Sequence, residues 1–115
     1  MTIEQVIAAV IIAWRNSDAK RATSFFALDG VYHEAFGDAI VGREPIQAHF
    51  DNFFAKGPLW KFGLGEVLVQ GNRAAVRYDY GQRGQASGIW KERAGCAFVA
   101  FNDEKQITLW REYQG

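Results

Sequence analysis

Three pairs of residues in this 115-residue chain stand two apart in stretches that read as strand: Tyr32 and Glu34 in VYHEAF, Arg77 and Asp79 in VRYDY, and Trp110 and Glu112 in LWREY. Strand side chains two apart share a face, so each pair points one way. If all three pairs face one cavity, it holds an arginine, three carboxylates, a phenol and an indole. A planar guanidinium can bridge two carboxylates. The third acid is then left without a counter-charge. At least one acid should keep a proton near neutral pH, through like-charge repulsion and desolvation. A protonated acid beside an ionised one is what acid–base catalysis uses. The same spacing also fits a solvated sheet face, with Arg77 paired to Asp79 or Glu112 as a surface ion pair.

Helices come first among the elements that must position these residues. Ile3, Val6, Ile7, Val10, Ile11 and Trp14 fall at helix spacing, and Thr2 with Gln5 fits a capping box. Asn16 to Asp18 breaks that helix and caps a short second one, with Phe25 and Phe26 as its buried end and Asp29–Gly30 as its stop. VYHEAF reads as a strand and GDAIVG as a turn with a brief second strand. A third helix follows GRE, with Pro45 in its first turn and a stripe of Ile46, His49, Phe50 and Phe53. Lys56 to Pro58 ends it.

Strands fill the rest. LWKFGLGEVLVQ alternates in two phases, and the slip near Gly65 predicts a bulge or sharp bend. Gly71–Asn72 predicts a hairpin turn. RAAVRYDY runs back, GQRGQASG is a flexible loop, IWKERAGCAFVAF is a long strand, NDEK a turn and QITLWREY the last strand. Helices followed by long antiparallel strands predict an α+β domain over residues 1–115, a bent antiparallel sheet with three N-terminal helices on one face. Between them lies a concave, mostly apolar pocket of the kind that takes small molecules.

Trp14, Phe50, Trp60, Trp110 and His49 are the candidates to line that pocket. His49 could approach it as a proton shuttle or be a hydrogen-bonded core histidine. Trp60, Trp90 and Trp110 suit core and cavity walls by size alone. His33 points opposite to Tyr32 and Glu34 and receives no catalytic role. Glu92 and Arg93 lie on opposite faces of their strand, and their orientation is left open.

The order of elements resembles the cone-shaped fold of nuclear transport factor 2, ketosteroid isomerase and the SnoaL-like polyketide cyclases, which is cystatin-like in outline, over essentially the whole chain. LDGVYHEAF, IVGREPIQAHF and ITLWREY are similar to recurring stretches of SnoaL-like sequences. More narrowly, VRYDY and ITLWREY resemble the two strands that supply the active site of limonene-epoxide hydrolase. That resemblance implies Arg77 as a bridging arginine, Asp79 as the acid that protonates an epoxide oxygen and Glu112 as the base that activates water. Tyr32 would help orient the water. Glu34 stands where that family has an asparagine, and Glu112 where it has an aspartate.

The resemblance and the residues together imply a small-molecule-binding protein. It would be a cofactor-free enzyme adding water to an epoxide or catalysing an isomerase- or cyclase-like proton shift, or else a non-catalytic ligand-binding or protein-interaction module of the same fold. Thirteen basic residues balance thirteen acidic ones, so no positive surplus points to nucleic acid or an anionic membrane. VIAAVIIAW is too short to span a bilayer and makes a poor signal peptide. No glycine loop of phosphate-cradling type occurs, and the two histidines lack metal-ligand spacing. Neither a cofactor nor a metal is therefore expected. Cys96 is the single cysteine, read as a buried small residue in a protein of the reducing cytoplasm. If Arg77 and Asp79 point inward, Val76, Tyr78, Tyr80, Arg111 and Tyr113 point outward. Such an aromatic patch predicts a homodimer through the outer face of the sheet.

Overall fold

A computed structural model describes residues 1–55, 60–83 and 89–114, with the side chains of Trp60, Gln82, Arg83 and Trp90 outside that description. The capping box forms at the start of helix α1 (Ile3–Arg15): Thr2 Oγ1 accepts from Gln5 N–H at 3.1 Å, and Gln5 Oε1 accepts from Thr2 N–H at 2.8 Å. The stripe of Ile3, Val6, Ile7, Val10, Ile11 and Trp14 is buried. Asp18 caps helix α2 (Ala19–Thr23) by accepting from Arg21 N–H at 3.0 Å.

Helix α2 does not run on through Phe26. The Thr23 hydroxyl donates back to Ala19 O at 2.8 Å and that of Ser24 to Arg21 O, and such local side-chain bonds compete with continued helix. Phe26 instead opens strand β1 (Phe26–His33), and Asp29–Gly30 lies inside it. The register against the last strand shifts between Phe26 and Val31, so the Asp-Gly pair marks a bulge rather than a stop. Gly30 is required there, because a Cβ would stand 2.8 Å from Ile107 O.

Strand β2 (Ala39–Val41) and helix α3 (Arg43–Ala55) follow. Then come β3 (Trp60–Gln70), β4 (Arg73–Arg83), β5 (Trp90–Phe101) and β6 (Ile107–Gln114). The expected bend in β3 is a register shift between Leu64 and Val67. The two-residue hairpin at Gly71–Asn72 is closed by Gln70 opposite Arg73, with Gly71 at φ 59°. Strand β4 continues to Arg83, into the stretch read as a loop, and residues 84–88 of that stretch lie outside the described residues.

The strands form one curved sheet in the order β2-β1-β6-β5-β4-β3. Its neighbours are antiparallel except β1 and β6, which run parallel. The helices cover one face, α1 against β3 and α3 against β1 and β2.

The inner face of β4 is the reverse of the expected one. Ala74, Val76 and Tyr78 are buried, while Arg73, Ala75, Arg77 and Asp79 are exposed. Burying Val76 and Tyr78 is worth roughly 1.5–3 kcal/mol each, whereas taking Arg77 and Asp79 out of water costs several kcal/mol per ion. The apolar phase therefore sets the face. Cross-strand register carries this to β6: Val76 stands opposite Ala97, which stands opposite Glu112. Glu112 accordingly points inward while Arg111 and Tyr113 stay exposed. Strand β5 likewise turns Gly95, Ala97 and Val99 inward, and Cys96 is exposed rather than buried.

Candidate active site

A cavity of about 190 Å³ lies between α1, α3 and the inner face of the sheet. Trp14 from α1, Tyr32 from β1, Phe50, Phe53 and Phe54 from α3, Phe62 from β3 and Tyr78 and Tyr80 from β4 form its aromatic wall. Trp14 is the hub. Its ring centroid is 5.7 Å from Phe50, 5.7 Å from Phe62 and 5.2 Å from Trp110, spacings at which aromatic pairs attract beyond their buried area. Besides the tyrosine hydroxyls, polar groups reach the cavity at two places: Glu112 and Gln114 from β6, and Glu34 with His49.

Glu112 is buried and held from two sides. Its Oε2 accepts from Trp110 Nε1–H at 3.2 Å, and the Tyr32 hydroxyl donates to the same carboxyl group. Burial raises its pKa to about 7, the hydrogen bonds from Tyr32 and Trp110 pull the other way, and the charge of Glu34 adds a smaller upward push. Desolvation wins because the protein interior solvates a carboxylate less well than water does. The Tyr32 phenol is pushed well above its ordinary range by burial and then by the charges of Glu112 and Glu34. Tyr78 is pushed up by burial and then by Glu112.

The Tyr78 hydroxyl is buried without a hydrogen-bond partner, as is Trp14 Nε1. The Gln114 amide lies close enough to Tyr78 to favour its ionisation, but outside hydrogen-bond geometry. It accepts instead from the Tyr80 hydroxyl at 3.2 Å. Glu34 Oε1 lies 2.5 Å from His49 Nε2, both side chains being partly exposed. An ionised carboxylate only accepts, so with Glu34 ionised the proton sits on Nε2.

Tyr32, Glu34, His49, Trp14, Phe50 and Glu112 therefore meet at one cavity. Arg77 and Asp79 do not: both are exposed on the outer face, so the arginine that was to bridge Asp79 and Glu112 is on the wrong side of the sheet. Trp110 is fully buried behind the cavity, where it holds Glu112 rather than lining the space. The side chain of Trp60 lies outside the described residues. His33 bonds locally to Gly37 O at 2.9 Å. Glu92 pairs in register with Gly81 and Arg93 with Tyr80, and both are exposed.

The lining residues outside the expected set include Tyr78, Tyr80, Phe62 and Gln114. For Tyr78 and Tyr80 the signal was the plain alternation Ala74, Val76, Tyr78, Tyr80 in β4, which outweighs an Arg-x-Asp pattern. Among the described residues, no three His, Cys, Asp or Glu side chains gather in a way that could hold a metal.

The family model of the SnoaL-like domain matches residues 7–110. No curated protein matches the sequence. Among solved structures, the chain is similar to a hypothetical protein of ketosteroid isomerase-like fold from Catenulispora acidiphila, in complex with trimethylamine. The TM-score is 0.86 at 19% identity, over 96% of this chain and 85% of that one. It is also similar to SalBIII, an epoxide hydrolase/cyclase-like enzyme with a role in pyran ring formation in the polyether salinomycin, with a TM-score of 0.84 at 14% identity over 98% and 90% of the two chains. A third is an LEH-like epoxide hydrolase of M. tuberculosis, with a TM-score of 0.81 at 16% identity over 96% and 76%. At these identities the likeness is one of fold. With the family match over most of its length, the chain belongs to the SnoaL-like domain family.

Proposed function

We propose that the cavity is the active site of a cofactor-free acid–base enzyme. It moves a proton within a small, largely apolar molecule carrying a carbonyl oxygen, in an isomerisation or a ring closure. The observation that carries this reading is Glu112, a buried carboxyl beside an aromatic cavity whose pKa is raised to about 7. Such a group can both take and return a proton near neutral pH.

As the carboxylate, Glu112 removes a proton from the carbon next to the carbonyl. The C–H electron pair moves into the new C=C bond and negative charge gathers on the oxygen. The Tyr78 hydroxyl, which has no partner of its own, donates to that oxygen as its charge develops. In a substrate with a C=C bond β,γ to the carbonyl, Glu112 then returns the proton to the γ carbon, as the dienolate pair moves out to it and the C=O bond re-forms. In a cyclisation, the enolate carbon instead bonds to a second carbonyl carbon of the same molecule, whose C=O π pair moves onto its own oxygen, and Glu112 gives its proton to that oxygen. Tyr32 holds the Glu112 carboxyl in place through its hydrogen bond. The arginine–aspartate pair of the epoxide hydrolase scheme is absent from this cavity, which favours the proton shift over water addition.

The test is NMR of a panel of small ketones and epoxides in D₂O. Deuterium entering next to a carbonyl, and slowed about 10²–10⁴-fold in Glu112→Gln, is the expected result. Diol formed from an epoxide would replace the reading with water addition. Saturable binding without either reaction would make the protein a ligand-binding module. The reading also includes a homodimer through the outer sheet face, where Leu68, Phe98 and Tyr113 stand exposed near Arg77 and Arg111. Aromatic and arginine side chains are enriched at such interfaces. A place in the cytoplasm rests on the single exposed Cys96, which suits a reducing compartment.

A further inference from the structure

We infer that the cavity selects a small organic cation, a tertiary or quaternary amine, over a neutral or anionic molecule of the same shape. The proposal concerns what the site holds and does not depend on the reaction assigned to it above.

Three observations converge. The described residues that line the cavity include two acids, Glu34 and Glu112, and neither a lysine nor an arginine. The sole basic side chain among them, His49, is already engaged by Glu34. The inner carboxyl, Glu112, has neutral donors for partners, Tyr32 and Trp110. When ionised, it is a buried charge for which no described lining residue supplies a free counter-charge. Arg77, which the sequence pattern offered for that role, lies on the other side of the sheet. A buried charge left unpaired is costly, and a cationic ligand placed beside it would supply the missing partner in a medium where Coulomb attraction is weakly screened.

The wall points the same way. Rings from Trp14, Tyr32, Phe50, Phe62 and Tyr80 surround the space. An aromatic ring carries negative charge on its face, and indole and phenol are the stronger and intermediate partners for ammonium groups. An anion would meet two acids and these rings together. Size narrows the class further: about 190 Å³ is below the roughly 300–1,000 Å³ of pockets for drug-sized ligands, so the cation is compact.

Calorimetric titration of the full chain at pH 8 with choline and with its neutral carbon isostere, 3,3-dimethylbutan-1-ol, tests the proposal. The expected result is choline binding at least about tenfold more tightly, in line with a desolvated cation–π contact plus a charge partner. Glu112→Gln should lose that preference while still binding the isostere, which also shows that the variant folds. Tyr80→Leu, which keeps an apolar wall without the π face, should weaken choline more than the isostere. Equal affinities in the native chain, no binding of choline, or a preference unchanged in Glu112→Gln would each overturn it. No turnover enters this titration, so its failure leaves the proton-transfer reading standing, and failure of that reading leaves cation selection standing.

Discussion

The ring of Tyr78 on β4 lies across the bare Cα of Gly95 on β5: a Cβ on Gly95 would stand 2.6 Å from both Cζ and Oη of that ring. The two residues are cross-strand partners, and Gln114 is the next partner along the same row. The missing side chain lets the phenol lie flat toward β6, with its hydroxyl in the field of Glu112. Gly95→Ala should push the ring off the sheet and cost about 1–3 kcal/mol, the usual range for overpacking. Urea denaturation measures it. In a Tyr78→Leu background the same change should cost much less, because the clashing ring atoms are gone. A cost that is equal in both backgrounds would show that the two positions are uncoupled.

Glu112 makes stability depend on pH in a direction opposite to that of most acids. Its folded pKa, about 7, lies above the ordinary value of 4.5. Between those values the folded state holds a proton that the unfolded state has released, so the contribution of Glu112 to stability is greatest below pH 4.5 and falls as pH rises toward 7. The loss from this group is of order 3 kcal/mol over that window. Glu112→Gln should therefore raise Tm at pH 8 and give little gain at pH 4.5. Thermal unfolding at the two pH values checks it, and an equal shift at both would contradict a buried, charge-destabilised carboxyl.

Much of the scaffold was legible because local rules agreed with one another. The capping box at Thr2 and Gln5, the stripe of α1, the slip at Gly65 and the turn at Gly71–Asn72 each have one physical reading, and each is present. Tyr32, Glu34 and Glu112 could be gathered from period two and the resemblance alone. Arg77 and Asp79 were misplaced because a motif was set above the phase of Val76 and Tyr78, although desolvation ranks the two choices unambiguously. The run from Phe25 to Gly30 was misread because Asp-Gly serves equally as a helix stop and as a bulge. Only the approach of Ile107 O to Gly30 decides between them, and that contact is remote in sequence.

Substituting the outer-face pair separates the two site arrangements directly. Arg77→Ala and Asp79→Ala remove exposed side chains from the face opposite the cavity. Each should leave turnover of any substrate within about twofold and stability within about 0.5 kcal/mol, as is usual for surface positions. A fall of several hundredfold in either variant would restore the epoxide hydrolase arrangement.

The outer face also predicts the oligomeric state. Phe98, 37% exposed, stands in register between Ala75 and Arg111 near the middle of that face. Sedimentation should show a dimer at micromolar concentration, and Phe98→Glu should shift it to monomer while far-UV circular dichroism stays unchanged. A native chain that sediments as a monomer would contradict this assembly.

Glu34 tests how the acids of the cavity share protons. Its charge contributes to the elevated pKa of Glu112 and of Tyr32, although burial is the larger cause for both. Glu34→Gln removes that charge, keeps the side chain's shape and still offers His49 an amide oxygen as acceptor. Glu112 then ionises more easily, so the working carboxylate forms at lower pH. The acidic limb of the pH–rate profile should move down modestly, with the plateau rate largely kept. If Glu34 were itself the base, the plateau would instead drop by about 10²–10⁴-fold. A profile unchanged in both position and height would mean that Glu34 and Glu112 do not sense each other across the cavity. The proton would then be governed by burial and by the hydrogen bonds from Tyr32 and Trp110 alone.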